Sequence, residues 1–195
     1  MGNKVTEYKV AKEIFKYGRD ILMSDEARRM KEYTQHGDTS VFEHTVSVAK
    51  HSLLIAMSIE KIFRKKVDRR SLVRGALLHD YFLYDWHEKR KGHNIHGFTH
   101  PGRALENARR DFEINDVEAD VIKKHMFPLT IIPPKRLESF IVCVADKWCA
   151  ICETFKIDIS SYIVYRVNLR YDLESGKVRI GRSVGKSIAK DLPKA

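Results

Sequence analysis

A chain of 195 residues with 43% hydrophobic side chains suits one domain, or one domain with a modest appendage, and excludes intrinsic disorder for the bulk of it. No apolar run approaches the roughly 18 to 20 residues needed to span a bilayer, and Met1-Gly2-Asn3-Lys4-Val5-Thr6 lacks the apolar core of a signal peptide, so a cytoplasmic protein without membrane contact is expected. The net charge of +10 favours an anionic partner, and half of the excess falls in residues 176–195, where Lys177, Arg179, Arg182, Lys186, Lys190 and Lys194 face only Asp191.

In chain order, residues 5–33 place Val10, Ile14, Tyr17 and Ile21 at near-helical spacing, and Ser24-Asp25 reads as the cap of a second short helix. Gln35-His36-Gly37-Asp38-Thr39-Ser40 reads as a turn. Ser40 with Glu43 forms a capping-box pattern that starts a long helix reaching about Phe63, on which Val41, His44, Val48, His51 and Ile55 share a face. Asp68 or Ser71 opens the next helix. Its apolar face, Leu72, Val73, Ala76 and Leu77, runs into His79-Asp80, and the helix is expected to continue through Tyr81 to Trp86, a run too aromatic for a solvated loop.

Residues 87–100 break the pattern with Gly92, Gly97, His93, His96 and His100, as expected of an active-site loop. Pro101 is expected at the first helical position of a helix over 102–111, leaving His100 on its N-cap side. Asn115 with Glu118 repeats the capping box, and Val117, Val121, Ile122 and His125 continue one face until Pro128. After Pro133-Pro134 an apolar helix from Leu137 to about Phe155 carries Asp146. The three cysteines, Cys143, Cys149 and Cys152, lie on that helix and read as buried apolar residues of a reducing compartment. From Tyr162, apolar Val167, Leu169, Tyr171 and Leu173 alternate with polar residues before a Glu174-Ser175-Gly176-Lys177 turn, which predicts a small β-hairpin. The expected architecture is all-α over residues 1–160, with residues 161–195 as an appended hairpin and basic tail.

His44, His79, Asp80, His100, His125 and Asp146 each fall on an inward face or a helix end. An aspartate or histidine there is costly to bury alone, and four imidazoles with two carboxylates form a donor set suited to transition metals. Their order, in Glu43-His44, Leu77-Leu78-His79-Asp80 and Ala145-Asp146, resembles that of the HD superfamily of metal-dependent phosphohydrolases, over about residues 36–155. In that all-helical superfamily a histidine, a His-Asp pair and a later aspartate hold a metal, and members with two further histidines between the pair and the last aspartate hold two. The resemblance therefore implies one metal on His44, His79, Asp80 and Asp146, and a second shared through Asp80 with His100 and His125.

Met126 stands where the cyclic-dinucleotide-cleaving HD-GYP branch has a second histidine, and Tyr81-Phe82-Leu83 replaces its Ile-Gly-Lys. Leu83 stands where the branch resembling bacterial 5′-nucleotidases has an acid, with Asp85 nearby. The resulting expectation is a phosphohydrolase with two divalent transition-metal ions (Fe, Mn, Zn, Co or Ni) that cleaves a small anionic phosphate ester, such as a nucleotide. Asp80, Lys147 and Asp85 are its catalytic candidates, and Arg103, His96, Lys91 and His36 its substrate-binding candidates. A di-iron oxygenase resembling myo-inositol oxygenase shares the ligand pattern. A nucleic-acid or regulatory binding module is disfavoured because no ligand position is missing. Self-association is left open.

Overall fold

Eight consecutive residues of one helix, Ser71–Leu78, are buried, which marks that helix as the centre of the core. The computed structural model describes residues 2–84, 96–157, 168–172 and 177–181, with side chains over 6–84 and 97–157. Its elements are α1 (Gly2–Met23), α2 (Asp25–Arg28) and a 3-10 turn, strands β1 (Thr34–His36) and β2 (Thr39–Ser40), then α3 (Val41–Phe63), α4 (Arg69–Leu78), α5 (His96–Asp111), α6 (Asp116–Lys124) and α7 (Leu137–Thr154), and finally β3 (Asn168–Asp172) and β4 (Lys177–Gly181). The fold is all-α with small hairpins, as the sequence predicts. No helix among the described residues is long and apolar enough to cross a membrane.

Helix α4 is central because α1, α3, α6 and α7 all pack on it. Leu72, Val73, Ala76, Leu77 and Leu78 are its fully buried contribution to a core shared with Ile14 and Ile21 of α1, Val48 and Leu53 of α3, Ile122 of α6 and Val142 of α7. Close approach depends on glycine in two places. A Cβ at Gly18, where α1 kinks, would lie 2.3 Å from Leu77 Cδ1, and one at Gly75 would lie 2.7 Å from the Val121 side chain.

Polar ties fix the helix ends. Ser24, Ser40, Asp68 and Asn115 cap α2, α3, α4 and α6, and both expected capping boxes form. Asp120 accepts from Lys135 N at 2.9 Å, Arg136 N at 3.1 Å and Ser139 Oγ at 2.7 Å, which pins the start of α7 to α6. Arg69 joins Glu13 of α1 and Glu60 of α3 to α4. The three cysteines are free and buried, and burial pushes the Cys149 thiol up to about 12.

Two expectations need correction. Helix α4 ends at Leu78 rather than running through the aromatic residues: Tyr81 N bonds Leu78 O, Phe82 N bonds Asp80 O, and Leu83 takes a left-handed φ of 55°. Tyr81 and Phe82 are nonetheless buried, because the Asn107 amide donates to both their carbonyls and Tyr81 Oη donates to Asp111 at 2.9 Å. Asp85 and Trp86 lie outside the described residues. Second, α5 starts at His96, so Pro101 sits inside the helix and His100 is helical rather than on its N-cap side. As the sixth residue of α5, Pro101 leaves the carbonyl of residue 97 without its usual intrahelical donor. The segment 35–40 is a short antiparallel hairpin turning at Gly37-Asp38, whose register shifts between Thr34 and His36. In the C-terminal hairpin Leu169 pairs with Ile180 and Tyr171 with Val178, in line with the alternating pattern.

Candidate metal centre

Five helices and their ends converge on one buried cluster. Helix α3 supplies His44 from its first turn, the turn after α4 supplies His79 and Asp80, α5 supplies His100, the C-cap of α6 is His125, and α7 supplies Asp146. All six are buried, with Asp146 the most exposed at 7%.

Each imidazole of known Nδ1 partner turns Nε2 inward. His79 Nδ1 meets Ala76 O at 2.8 Å and His125 Nδ1 meets Ile122 O at 2.9 Å, each the carbonyl three residues back. His44 Nδ1 meets the Glu153 carboxylate at 2.8 Å. These partners accept, so the Nδ1 atoms carry protons and each ring presents Nε2 to the cluster. His44 Nε2 lies 3.1 Å from Asp146 Oδ1, and His79 Nε2 lies 3.6 Å from the same oxygen and 3.3 Å from Asp80 Oδ2. On the other side of Asp80, Oδ1 lies 3.2 Å from His100 Nε2 and 3.5 Å from His125 Nε2. The two carboxylate oxygens of Asp80 thus face different histidines.

The electrostatics call for added positive charge. Burial alone would lower His44, but hydrogen bonds to Asp146 and Glu153 overcome it and raise the imidazole to about 9. Burial also opposes protonation of His79, yet Asp80 and Asp146 hold it well above its usual range. Burial would raise Asp80, but His79, His100 and His125 hold it well below the usual carboxylate range, and the His44 and His79 hydrogen bonds do the same for Asp146. Burial dominates at His125 and lowers it.

The residues fit a metal on three observations. His44, His79 and Asp146 bring ligand atoms within 4.8 Å of one another, as do His79, Asp80 and His125. Buried His79 Nε2 and Asp80 Oδ1 have no well-formed hydrogen-bond partner among the described residues. The nitrogens His100 Nε2 and His125 Nε2 face each other at 2.8 Å, a contact between two ligand atoms that suits a shared cation. His79 belongs to both groups, where the resemblance had assigned it to one.

The remaining candidates are scattered around the cluster. His36 is half-buried with its ring 5.4 Å from that of His44, and burial and His44 lower its pKa. Lys147 donates to His125 O at 2.8 Å and stands 3.9 Å from Asp146 Oδ2. Arg103 is exposed and stacks over the Tyr84 ring at 5.1 Å. Asp85 and Lys91 lie outside the described residues, as does the side chain of His96. Two site residues escaped sequence reasoning. Glu153 carried a signal, since it lies two turns beyond Asp146 on the same face of an apolar helix. Gln35, whose Nε2 donates to Asp80 Oδ2 at 2.6 Å, carried none.

A curated relative, the dihydroneopterin 2',3'-cyclic phosphate phosphodiesterase of Methanocaldococcus jannaschii, is 30% identical over 113 residues, which is 55% of this chain and 45% of the relative. This chain thus spans less than half of that protein's length. No solved structure matches the chain. The family model for the HD domain matches residues 41–151, a span that takes in all six buried histidines and aspartates of the cluster, and the chain belongs to the HD domain family.

Proposed function

We propose that this chain is a metal-dependent phosphohydrolase with a dinuclear centre, acting on a small phosphate ester. The observation that carries the reading is the split of Asp80, with one oxygen toward His79 and the other toward His100 and His125. His44, His79, Asp146 and Asp80 Oδ2 would hold one divalent transition metal, and His100, His125 and Asp80 Oδ1 a second. Such ions lower the pKa of a bound water and neutralise charge developing on a phosphoryl oxygen.

The chain's own part is positioning. Fixed Nδ1 contacts at His44, His79 and His125 set the imidazole orientations before a substrate arrives. Lys147, half-buried beside Asp146, is assigned to a non-bridging phosphate oxygen, and exposed Arg103 and half-buried His36 to the remainder of an anionic substrate. Asp85, His96 and Lys91 remain sequence-based candidates. Water adds to phosphorus, one P–O ester bond breaks, and the departing oxygen takes up a proton. The 2',3'-cyclic phosphate named for the relative makes a five-membered cyclic phosphodiester of a nucleotide-sized compound the first substrate class to try. Residues 1–160 are the unit that would carry this chemistry, with residues 161–195 appended.

Metal content of protein purified without chelator, followed by hydrolysis of 2',3'-cyclic nucleoside monophosphates with added Mn²⁺, tests the reading. About two metals per chain and cleavage to a phosphomonoester support it. Two irons with oxygen uptake and no hydrolysis would replace it with the oxygenase. Salt-steep nucleic-acid binding by a metal-free protein would replace it with a binding module.

A further inference from the structure

One buried polar side chain in the cluster comes from a strand rather than a helix. Gln35 is 8% exposed, and its Nε2 reaches across 45 residues of sequence to Asp80 Oδ2 at 2.6 Å. A carboxylate can only accept, so the amide N–H faces Asp80.

The hairpin that delivers Gln35 is itself held against α7. Gly37 has a φ of +58°, and a Cβ there would lie 3.2 Å from the Glu153 carbonyl. Next to it, Asp38 accepts from Lys156 Nζ at 2.8 Å, and Val41 N returns to Tyr33 O at 2.9 Å. The register shift between Thr34 and His36 falls at Gln35, a place where an irregular strand re-aims a side chain. Gln35, Asp80, His44 and Glu153 are therefore parts of one braced unit.

Asp80 needs such a brace more than any other residue in the cluster. Rotation of its carboxylate would lose the arrangement in which Oδ2 faces His79 while Oδ1 faces His100 and His125. A neutral donor stops that rotation without adding charge: an arginine or lysine there would repel cations, and a glutamate would repel Asp80. We propose that Gln35 is a positioning residue of the metal centre, holding the Asp80 carboxylate in the rotation that offers one oxygen to each group of histidines. The inference rests on the dinuclear reading above and extends it to a residue outside the span matched by the HD domain.

The test is Mn²⁺ binding by calorimetry, with electron paramagnetic resonance to detect spin coupling between two ions bridged by a carboxylate. Both are read on the full chain and neither depends on a substrate. The wild type is expected to take up two Mn²⁺ and show a coupled spectrum. Gln35→Met, similar in length but unable to donate, should bind the weaker Mn²⁺ about ten- to a hundredfold less tightly and lose the coupled spectrum at stoichiometric metal. Gln35→Glu, of the same size, should lose it as well. Variants that keep the coupled spectrum and both affinities would overturn the assignment of Gln35 alone. A wild type without a coupled spectrum would remove the dinuclear reading itself. Loss of folding in both variants would make Gln35 a residue of the fold rather than of the centre.

Discussion

His44 is gripped on both ring nitrogens by one helix: Nδ1 meets Glu153 at 2.8 Å and Nε2 meets Asp146 at 3.1 Å, both from α7. A carboxylate behind a ligating imidazole fixes its tautomer and raises its basicity. Removing it in Glu153→Ala is expected to weaken divalent-metal binding by about ten- to a hundredfold, while Glu153→Gln, which keeps an acceptor, should lose less. Competition against a chelator of known affinity measures both. Equal affinity in all three proteins would show that His44 needs no partner at Nδ1.

The proposed second metal site rests on fewer groups. Asp80 Oδ1, His100 and His125 meet there, and His125 is fixed by a carbonyl of its own helix. His125→Ala is expected to lower the metal content from about two to about one per chain while leaving the ion on His44, His79 and Asp146 in place. Elemental analysis of the two proteins side by side decides it, and loss of both ions would mean that the two sites fill only together.

The helical frame and the inward placement of the six histidines and aspartates were legible because burial of a histidine or aspartate amid Val, Leu and Ala has few explanations. Where reading failed, contacts distant in sequence were responsible. The aromatic residues after Asp80 looked helical from their apolar character, yet Asn107 of α5 satisfies the carbonyls of Tyr81 and Phe82 and lets the chain leave the helix. Pro101 looked like a helix start by its usual position, but α5 begins at His96. Gln35 was invisible because a glutamine in a polar turn is what a solvated loop also contains. Only the 45-residue return to Asp80 distinguishes it.

Asp120 gives the fold a pH dependence that can be isolated. Burial would raise this carboxyl, but hydrogen bonds from Lys124, Ser139 and the Lys135 N–H outweigh that and lower it. A carboxyl lowered in the folded state stabilises fully above its unfolded pKa of about 3.9, and that stabilisation is lost as pH falls through the folded value. Asp120→Ala should therefore cost about 2 kcal/mol near neutrality, by freeing the first turn of α7. Thermal melts of both proteins should show a constant gap between pH 6 and 8, about the range where the carboxylate is fully ionised, and a narrowing gap below about pH 4. A gap that does not change with pH would assign the loss to packing instead.

Arg74 is the buried charge on which α4 depends. It is 4% exposed, and its Nη1 lies 2.6 and 2.7 Å from the two oxygens of Asp20, while Nε lies 3.1 Å from Oε1 of Glu118, which is fully buried. Burial raises the Glu118 carboxyl, so its charge depends on neighbouring arginines, and Arg70 is a second one at 3.6 Å. Arg74→Met is expected to destabilise by about 3 to 5 kcal/mol, because it leaves a buried carboxylate with less compensation. Adding Glu118→Gln removes the stranded charge while keeping an oxygen for the Asn115 cap, so the double variant should recover part of the loss. Denaturant unfolding of the metal-free single and double variants measures the difference. Equal stability of the two would place the cost in lost packing among α1, α4 and α6 rather than in the uncompensated charge.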